Sequence, residues 1–331
     1  MLPNSEQISA FIETQFSDKL QKLNSQRKKS LFSSYTGCLS ILLIMAVTIG
    51  VNFLTFSSPY RNQIMIGSGV GVFVLLLIFS YLSRKNSVED YEYVFKNEVI
   101  TPLLHFINKD FIYKPESYVS HNEFLKSGFF VNQAYEYDGN DQLIGKHNEV
   151  LFQFCDLDVT KTPTVRTKNQ SDYTVFYGNF FMAKFNKPFT AETYILPNYS
   201  IKESLLGDDF DTSNFLVDTW ELGEKVLLED AEFSKQFKVF GKDQIEARYI
   251  LTPNIMERIK NIQKKSNGKL FISFRNDMIF IANNNGFDYF EPDFYKSINS
   301  KDAILNYYNE IMELLGIIDE LKLNIKIWKT N

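Results

Sequence analysis

The sequence predicts an α+β chain: an N-terminal transmembrane helical hairpin, then a cytosolic, mostly antiparallel sheet domain with flanking helices. Three observations predict it. Two long uncharged runs lie near the N-terminus, from Leu31 to Tyr60 and from Asn62 to Ser83. Beyond residue 110 apolar residues alternate with period two in several short stretches, the mark of half-buried strands. Stretches with helical spacing precede and follow those strands, and strands grouped with strands argue for an antiparallel sheet.

The first element is an amphipathic helix over residues 4–30. Ile8, Ile12, Phe16, Leu20 and Leu23 recur every three or four residues with Phe11 beside them, and Asn4 or Ser5 stands where a cap belongs, after Pro3. The apolar stripe is expected to pack on the cytosolic domain. The basic flank that ends it, with Arg27, Lys28 and Lys29, is expected at the anionic lipid surface.

The two uncharged runs come next. A helix needs roughly 20 residues to cross a hydrocarbon core about 30 Å thick, and both runs reach that length. Twelve Ile, Val, Leu and Phe residues in the second favour insertion by about 4 to 7 kcal/mol before polar costs. Only Ser57, Ser58, Pro59, Tyr60 and Arg61 join the runs, which forces an antiparallel hairpin. Lys19, Lys22, Arg27, Lys28 and Lys29 precede it, and Arg84 and Lys85 follow, so basic residues in excess on the flanks place both termini in the cytoplasm. Gly67, Gly69 and Gly71 make a stripe of small residues for close packing of the spans, or for a homo-oligomer through Gly67 and Gly71. The chain thus divides into 1–34, the cytosolic amphipathic helix and basic flank; 35–83, the hairpin; and 84–331, the cytosolic α+β domain.

That domain opens with a helix capped by Ser87, with Glu89 and Asp90 in its first turn and Tyr91, Phe95, Val99, Leu103 and Phe106 on one face. Strands are expected at 150–155, 173–177, 180–185, 270–274 and 278–282, the last two joined as a hairpin by Arg275, Asn276 and Asp277. Turns are expected at 138–141, 267–268 and 284–286. Helices follow at 252–264 and 301–323, the second with Ile304, Tyr308, Ile311, Leu315 and Ile318 on one face. Residues 207–213 form the one polar link.

Composition closes off other classes. The 331 residues hold 35 Lys and Arg against 40 Asp and Glu, a net charge of -5, which gives no general reason to bind nucleic acid. Two cysteines exclude a disulfide scaffold, and 15% aromatic residues exclude a disordered chain. The mean hydropathy of -0.19 averages two opposite regions.

Within the domain, the runs Val226–Phe240 (VLLEDAEFSKQFKVF) and Asp243–Pro253 (DQIEARYILTP) carry a family resemblance. So do Phe176–Lys187 (FYGNFFMAKFNK), Thr193–Pro197 and, upstream, Ser120, Glu123, Ser127 and Gly128. Together they resemble the domain-of-unknown-function 3137 family over roughly 85–300. The resemblance implies a protein of the bacterial inner membrane with a cytosolic domain, and no catalytic residues come with it. Tyr177 departs from the family pattern, where a basic residue is expected.

No metal site or cofactor is expected. His105, His121 and His147 are scattered, and His121 and Glu123 mimic a zinc-deaminase motif whose cysteine pair never follows. The best polar constellation is Glu229, Asp230 and Glu232, then Asp243, Glu246 and Arg248. A helix sets Asp243 and Glu246 one turn apart, a spacing that suits a cation or an acid–base pair, or an Arg248–carboxylate bridge inside the core, which is the reading preferred. Phe129, Phe130, Phe180, Phe181 and Phe185 read as sheet core. Two spans without an intramembrane charge make a poor transporter. The function expected is a membrane-tethered interaction module, its partners the lipid bilayer and another protein; the alternative is a membrane-anchored enzyme using the acidic cluster around Asp243 and Glu246.

Overall fold

The structure is a computed structural model, and it describes residues 3, 5–54, 74, 91–129, 135–161, 173–185, 188–198, 222–266, 268–298, 300–321 and 323. The expected second span apart from Val74, its connecting loop, Arg84, Lys85, the Ser87 cap with Glu89 and Asp90, Phe130 and the 207–213 link lie outside these residues. The chain groups into two compact units, Met1–Leu103 with Glu291–Tyr307, and Leu104–Phe290 with Tyr308–Asn331.

In the first unit, helix α1 (Ser5–Leu54) runs for 50 residues, about 75 Å at 1.5 Å per residue. The amphipathic segment and the first apolar run are therefore one helix. Ile8, Ile12, Phe16, Leu20 and Leu23 are all buried, as the spacing predicts. Glu13 meets Lys301 and Lys19 meets Glu98, at 2.9 and 2.7 Å. Arg27 departs from the expected lipid-facing flank: it is buried, donating to Asn24 Oδ1 and, at 3.1 Å, to the Phe294 carbonyl. A guanidinium can bury its stem and still place its donors on a carbonyl. Among the described residues no helix is long and apolar enough to cross a membrane. Most of both uncharged runs falls on positions whose side chains are not described.

The helix expected near residue 90 is present, with residues 91–95 leading into a π-helical turn, Lys96–Ile100, and then α2 (Thr101–Ile107). The wider turn, in which the Thr101 N–H reaches the Lys96 carbonyl, adds a residue and rotates the face. Leu104 and Ile107 are therefore buried where Phe106 was expected to be, and Phe106 is only partly covered.

The second unit is built on one antiparallel sheet. Its strands are β1 (Ile112–Lys114), β2 (Tyr135–His147), β3 (Val150–Lys161), β4 (Tyr173–Lys184), β5 (Thr193–Pro197), β6 (Glu224–Lys225), β7 (Phe237–Gly241), β8 (Lys269–Arg275) and β9 (Met278–Asn284). Their order is β1-β2-β3-β4-β9-β8-β5-β7-β6, with every described pair antiparallel. Helices α3 (His121–Leu125), α4 (Ala231–Gln236), α5 (Gln244–Ile250), α6 (Pro253–Ser266) and α7 (Lys301–Leu321) flank it. The α+β expectation holds.

Two local readings change. The Asp138–Asp141 cluster is not a turn between strands; it lies within β2, as an irregularity between Asn140 and Leu143 with Asp141 at φ 59°. Its Gly and Asx residues suit a bulge as well as a turn. The real hairpin turn is Asn148–Glu149, both left-handed, between His147 and Val150. The two strands expected at 173–177 and 180–185 are one strand, β4, with Gly178 in the middle. A Cβ there would collide with the Asn283 carbonyl oxygen of β9, so the strands approach at a position only glycine allows.

The core sits on both sheet faces. On one, Phe124 and Phe129 cover Cys155, Phe176, Phe180, Phe271 and Phe280. Period two then sends Phe154, Phe181, Leu270 and Ile281 to the opposite face, under α6 and α7. Burial of five consecutive residues in each of β8 and β9 follows from this two-sided cover.

Candidate functional site

Of the acidic residues singled out in the sequence, Asp230, Asp243 and Glu246 are all engaged within the fold. Asp243 caps α5, accepting the N–H groups of Ile245 and Glu246 at 2.7 and 3.1 Å. Glu246 ties down the loop before β5: it accepts from the Thr190 N–H at 2.9 Å, the Thr190 hydroxyl at 2.8 Å and the Ala191 N–H at 2.5 Å. Arg248 does not join them. It is exposed and curls back on Gln244, to the carbonyl and Oε1 at 3.3 Å, rather than lying in the core. Asp230 caps α4 through the Glu232 and Phe233 N–H groups and faces Lys260 at 3.1 Å, while Glu229 and Glu232 are exposed. These bonds hold the Asp230 carboxyl below its ordinary range, first through the Phe233 N–H and then through Lys260.

Two of the three histidines are equally structural. His121 lies over Tyr137, with ring centres 4.3 Å apart, and Glu123 forms a capping box with Ser120. His147 meets Asp319 at 3.0 Å. Among the described residues no group of three or more His, Cys, Asp or Glu could hold a metal ion.

What the structure assembles instead is a cleft of about 700 Å³ between one sheet face, α6 and the second half of α7. Its floor follows from register. Phe154 opposes Phe181 and Phe181 opposes Ile281, giving an apolar row across β3, β4 and β9. Two residues along, Asn179 opposes Asn283 and Asn283 opposes Leu270, giving a row with two amides. Helix α6 contributes Arg258, Ile262, Lys265 and Ser266. Helix α7 contributes Asn309, Met312, Glu313, Gly316, Ile317 and Glu320, and Tyr289 lies beside Phe154 at 5.3 Å. The volume lies within the range of small-molecule sites, which are mostly apolar with a few placed polar groups.

The polar floor is held from behind. Asp156 is buried and accepts from the Asn179 amide and, at 2.8 Å, from the Tyr289 N–H. Burial, reinforced by the neighbouring Asp141, pushes its carboxyl well above the usual range. Asn179 also donates to the Phe287 carbonyl and accepts from Asn285 at 2.9 Å, so its geometry is fixed. Asn283 donates to the Ser266 carbonyl at 3.0 Å, and its Oδ1 has no partner among the described residues. The Tyr289 phenol likewise makes no hydrogen bond among them; burial and then the nearby Glu313 and Glu310 raise its pKa, so at neutral pH it is a donor. At the rim, Arg258 donates to the Glu320 carbonyl and Lys265 stands 3.6 Å from the Glu320 carboxylate.

Residues 174–323 match the sequence model of a family described as protein of unknown function (DUF3137). Over that stretch, a little under half of the chain, the sequence is similar to this family. The matched stretch runs from β4 through α7 and contains every residue lining the cleft except Phe154. No curated protein and no solved structure matches the chain. Upstream of the matched stretch, residues that carry the sequence resemblance have structural tasks. Ser120 and Glu123 form the capping box, and Gly128, at φ 74°, passes under the Tyr194 ring where a Cβ would clash. Tyr177, which departs from the family pattern, donates its hydroxyl to Asp288 at 2.8 Å.

The cleft was not read from the sequence, because its lining comes from separate segments spread between Phe154 and Glu320. One signal was present. Gly316 interrupts the otherwise strongly periodic helix of 301–321, and an interior helical glycine calls for a reason.

Proposed function

We propose that the chain is a membrane-tethered binding module, with the N-terminal hairpin in the bacterial inner membrane and the sheet domain in the cytoplasm. The observation that carries this reading is how the apolar part of α1 is presented. Phe32, Tyr35 and Leu42 are 70, 64 and 57% exposed, and Val74 of the second run is 45% exposed. Apolar side chains of that size, left uncovered along a helix that continues into a run without charge, suit lipid as their solvent. The basic flanks support cytoplasmic termini. The bonds that Asp243 and Glu246 make within the fold favour the binding module over an enzyme built on those carboxylates. The partner is a protein or a lipid-linked molecule, and Gly67 and Gly71 offer a face for pairing between copies.

Alkaline carbonate washing of membranes from cells expressing the full chain tests the tether. Retention in the pellet supports it; recovery in the wash contradicts it.

A further inference from the structure

Helix α7 crosses the cleft from Asn309 to Glu320, a rise of about 16 Å at 1.5 Å per residue. Midway stands Gly316. It lines the cleft, and a Cβ built on it meets no atom within 4 Å. An interior helical glycine costs roughly 0.5–1 kcal/mol relative to alanine, and no neighbouring group of the protein requires it here. The space it leaves is therefore space for something else. Apolar walls face it, with Phe181 and Ile281 on the sheet and Ile262 on α6.

Two polar groups without partners among the described residues, Glu313 and the Tyr289 phenol, lie toward one end, and the Asn283 Oδ1 on the floor is a further open acceptor. Glu313 is exposed there with no hydrogen bond among the described residues, one turn from Asn309, and its charge reaches the Tyr289 phenol. At the other end Arg258 and Lys265 are both engaged by Glu320. At the Glu313 end the open groups are thus a carboxylate and a hydroxyl, which welcome a hydrogen-bond donor and repel an anion, and the Asn283 Oδ1 adds an acceptor.

We infer that the cleft binds an elongated, largely apolar molecule with a hydroxyl or amino head, lying along α7 against Gly316 with its head at Tyr289 and Glu313. This inference stands apart from the membrane tether, since every residue it uses lies in the second unit.

The test uses the full chain in phosphatidylcholine nanodiscs with Nile red, an uncharged dye that brightens in apolar surroundings. Emission is read as the difference between the wild-type chain and Gly316→Trp in the same discs, which cancels dye dissolved in lipid. Gly316→Leu serves if the larger ring prevents folding. The bound dye is then competed with 1-decanol, decylamine and decanoate. The cleft gives excess emission in the wild type, and decanol and decylamine displace it at concentrations at least ten-fold lower than decanoate. Glu313→Gln shrinks the advantage of decylamine to about three-fold or less. No excess emission overturns the site, and decanoate competing as well as the other two overturns the assignment of the head. If the chain does not enter the discs, the tether fails, and the same titration on the chain in solution still reads the cleft.

Discussion

Asp243 and Glu246 each hold backbone N–H groups that nothing else satisfies, so their removal is felt first as lost stability. Replacing a capping Asp by Ala costs about 1 kcal/mol, whereas Asn preserves the acceptor. Asp243→Ala is therefore expected to lower the unfolding free energy by about 1 kcal/mol, and Asp243→Asn to stay within a few tenths. Equal losses in both, measured by denaturant unfolding, would show that the charge itself matters. Glu310 behaves differently. Burial, set against one hydrogen bond from the Phe290 N–H and joined by the charge of Glu313, raises its pKa to about 7. Its Oε2 has no partner among the described residues. The folded state then holds this proton more tightly than the unfolded chain, so stability falls as pH rises from about 4.5 to about 7 and levels off above that. Asp156, also raised, adds to the same slope. Glu310→Gln is expected to reduce that slope and to be more stable than wild type at pH 8; an unchanged slope would place the titration elsewhere.

At the scale of elements, two glycines make opposite predictions. Gly178 sits where a Cβ meets the backbone of β9, and Gly316 where a Cβ meets nothing. Gly178→Ala is expected to destabilise by about 1–3 kcal/mol, the ordinary cost of overpacking. Gly316→Ala is expected to stabilise by about 0.5–1 kcal/mol. Thermal unfolding of the two variants side by side checks both signs. The same elements mark what the sequence made legible. The stripe of Ile8, Ile12, Phe16, Leu20 and Leu23 and the hairpin at Asn276–Asp277 were readable because period and turn chemistry are local properties. The bulge at Asp141 was not, because the same Gly and Asx residues serve a turn and a bulge alike. Nor was the rotated face after Ile100, since a π turn leaves no mark in composition. The cleft was beyond reach altogether. It depends on Asn179 meeting Asn283 across a register, and on α7 returning over strands far behind it in the chain.

At the scale of the whole molecule, the division of labour rests on α1. Its first half is a buried stripe held by charged ties such as Lys19–Glu98 and Glu13–Lys301, and its second half bears exposed Phe32, Tyr35 and Leu42. One helix thus carries both a packing face and, beyond it, exposed apolar side chains. The most direct measurement is a pair of reporter fusions to the full chain, each active only outside the cytoplasm. One is placed at Pro59, between the two uncharged runs, and the other after Asn331. A tethered hairpin with cytoplasmic ends gives activity at Pro59 and silence after Asn331. Silence at both positions, or activity after Asn331, contradicts it.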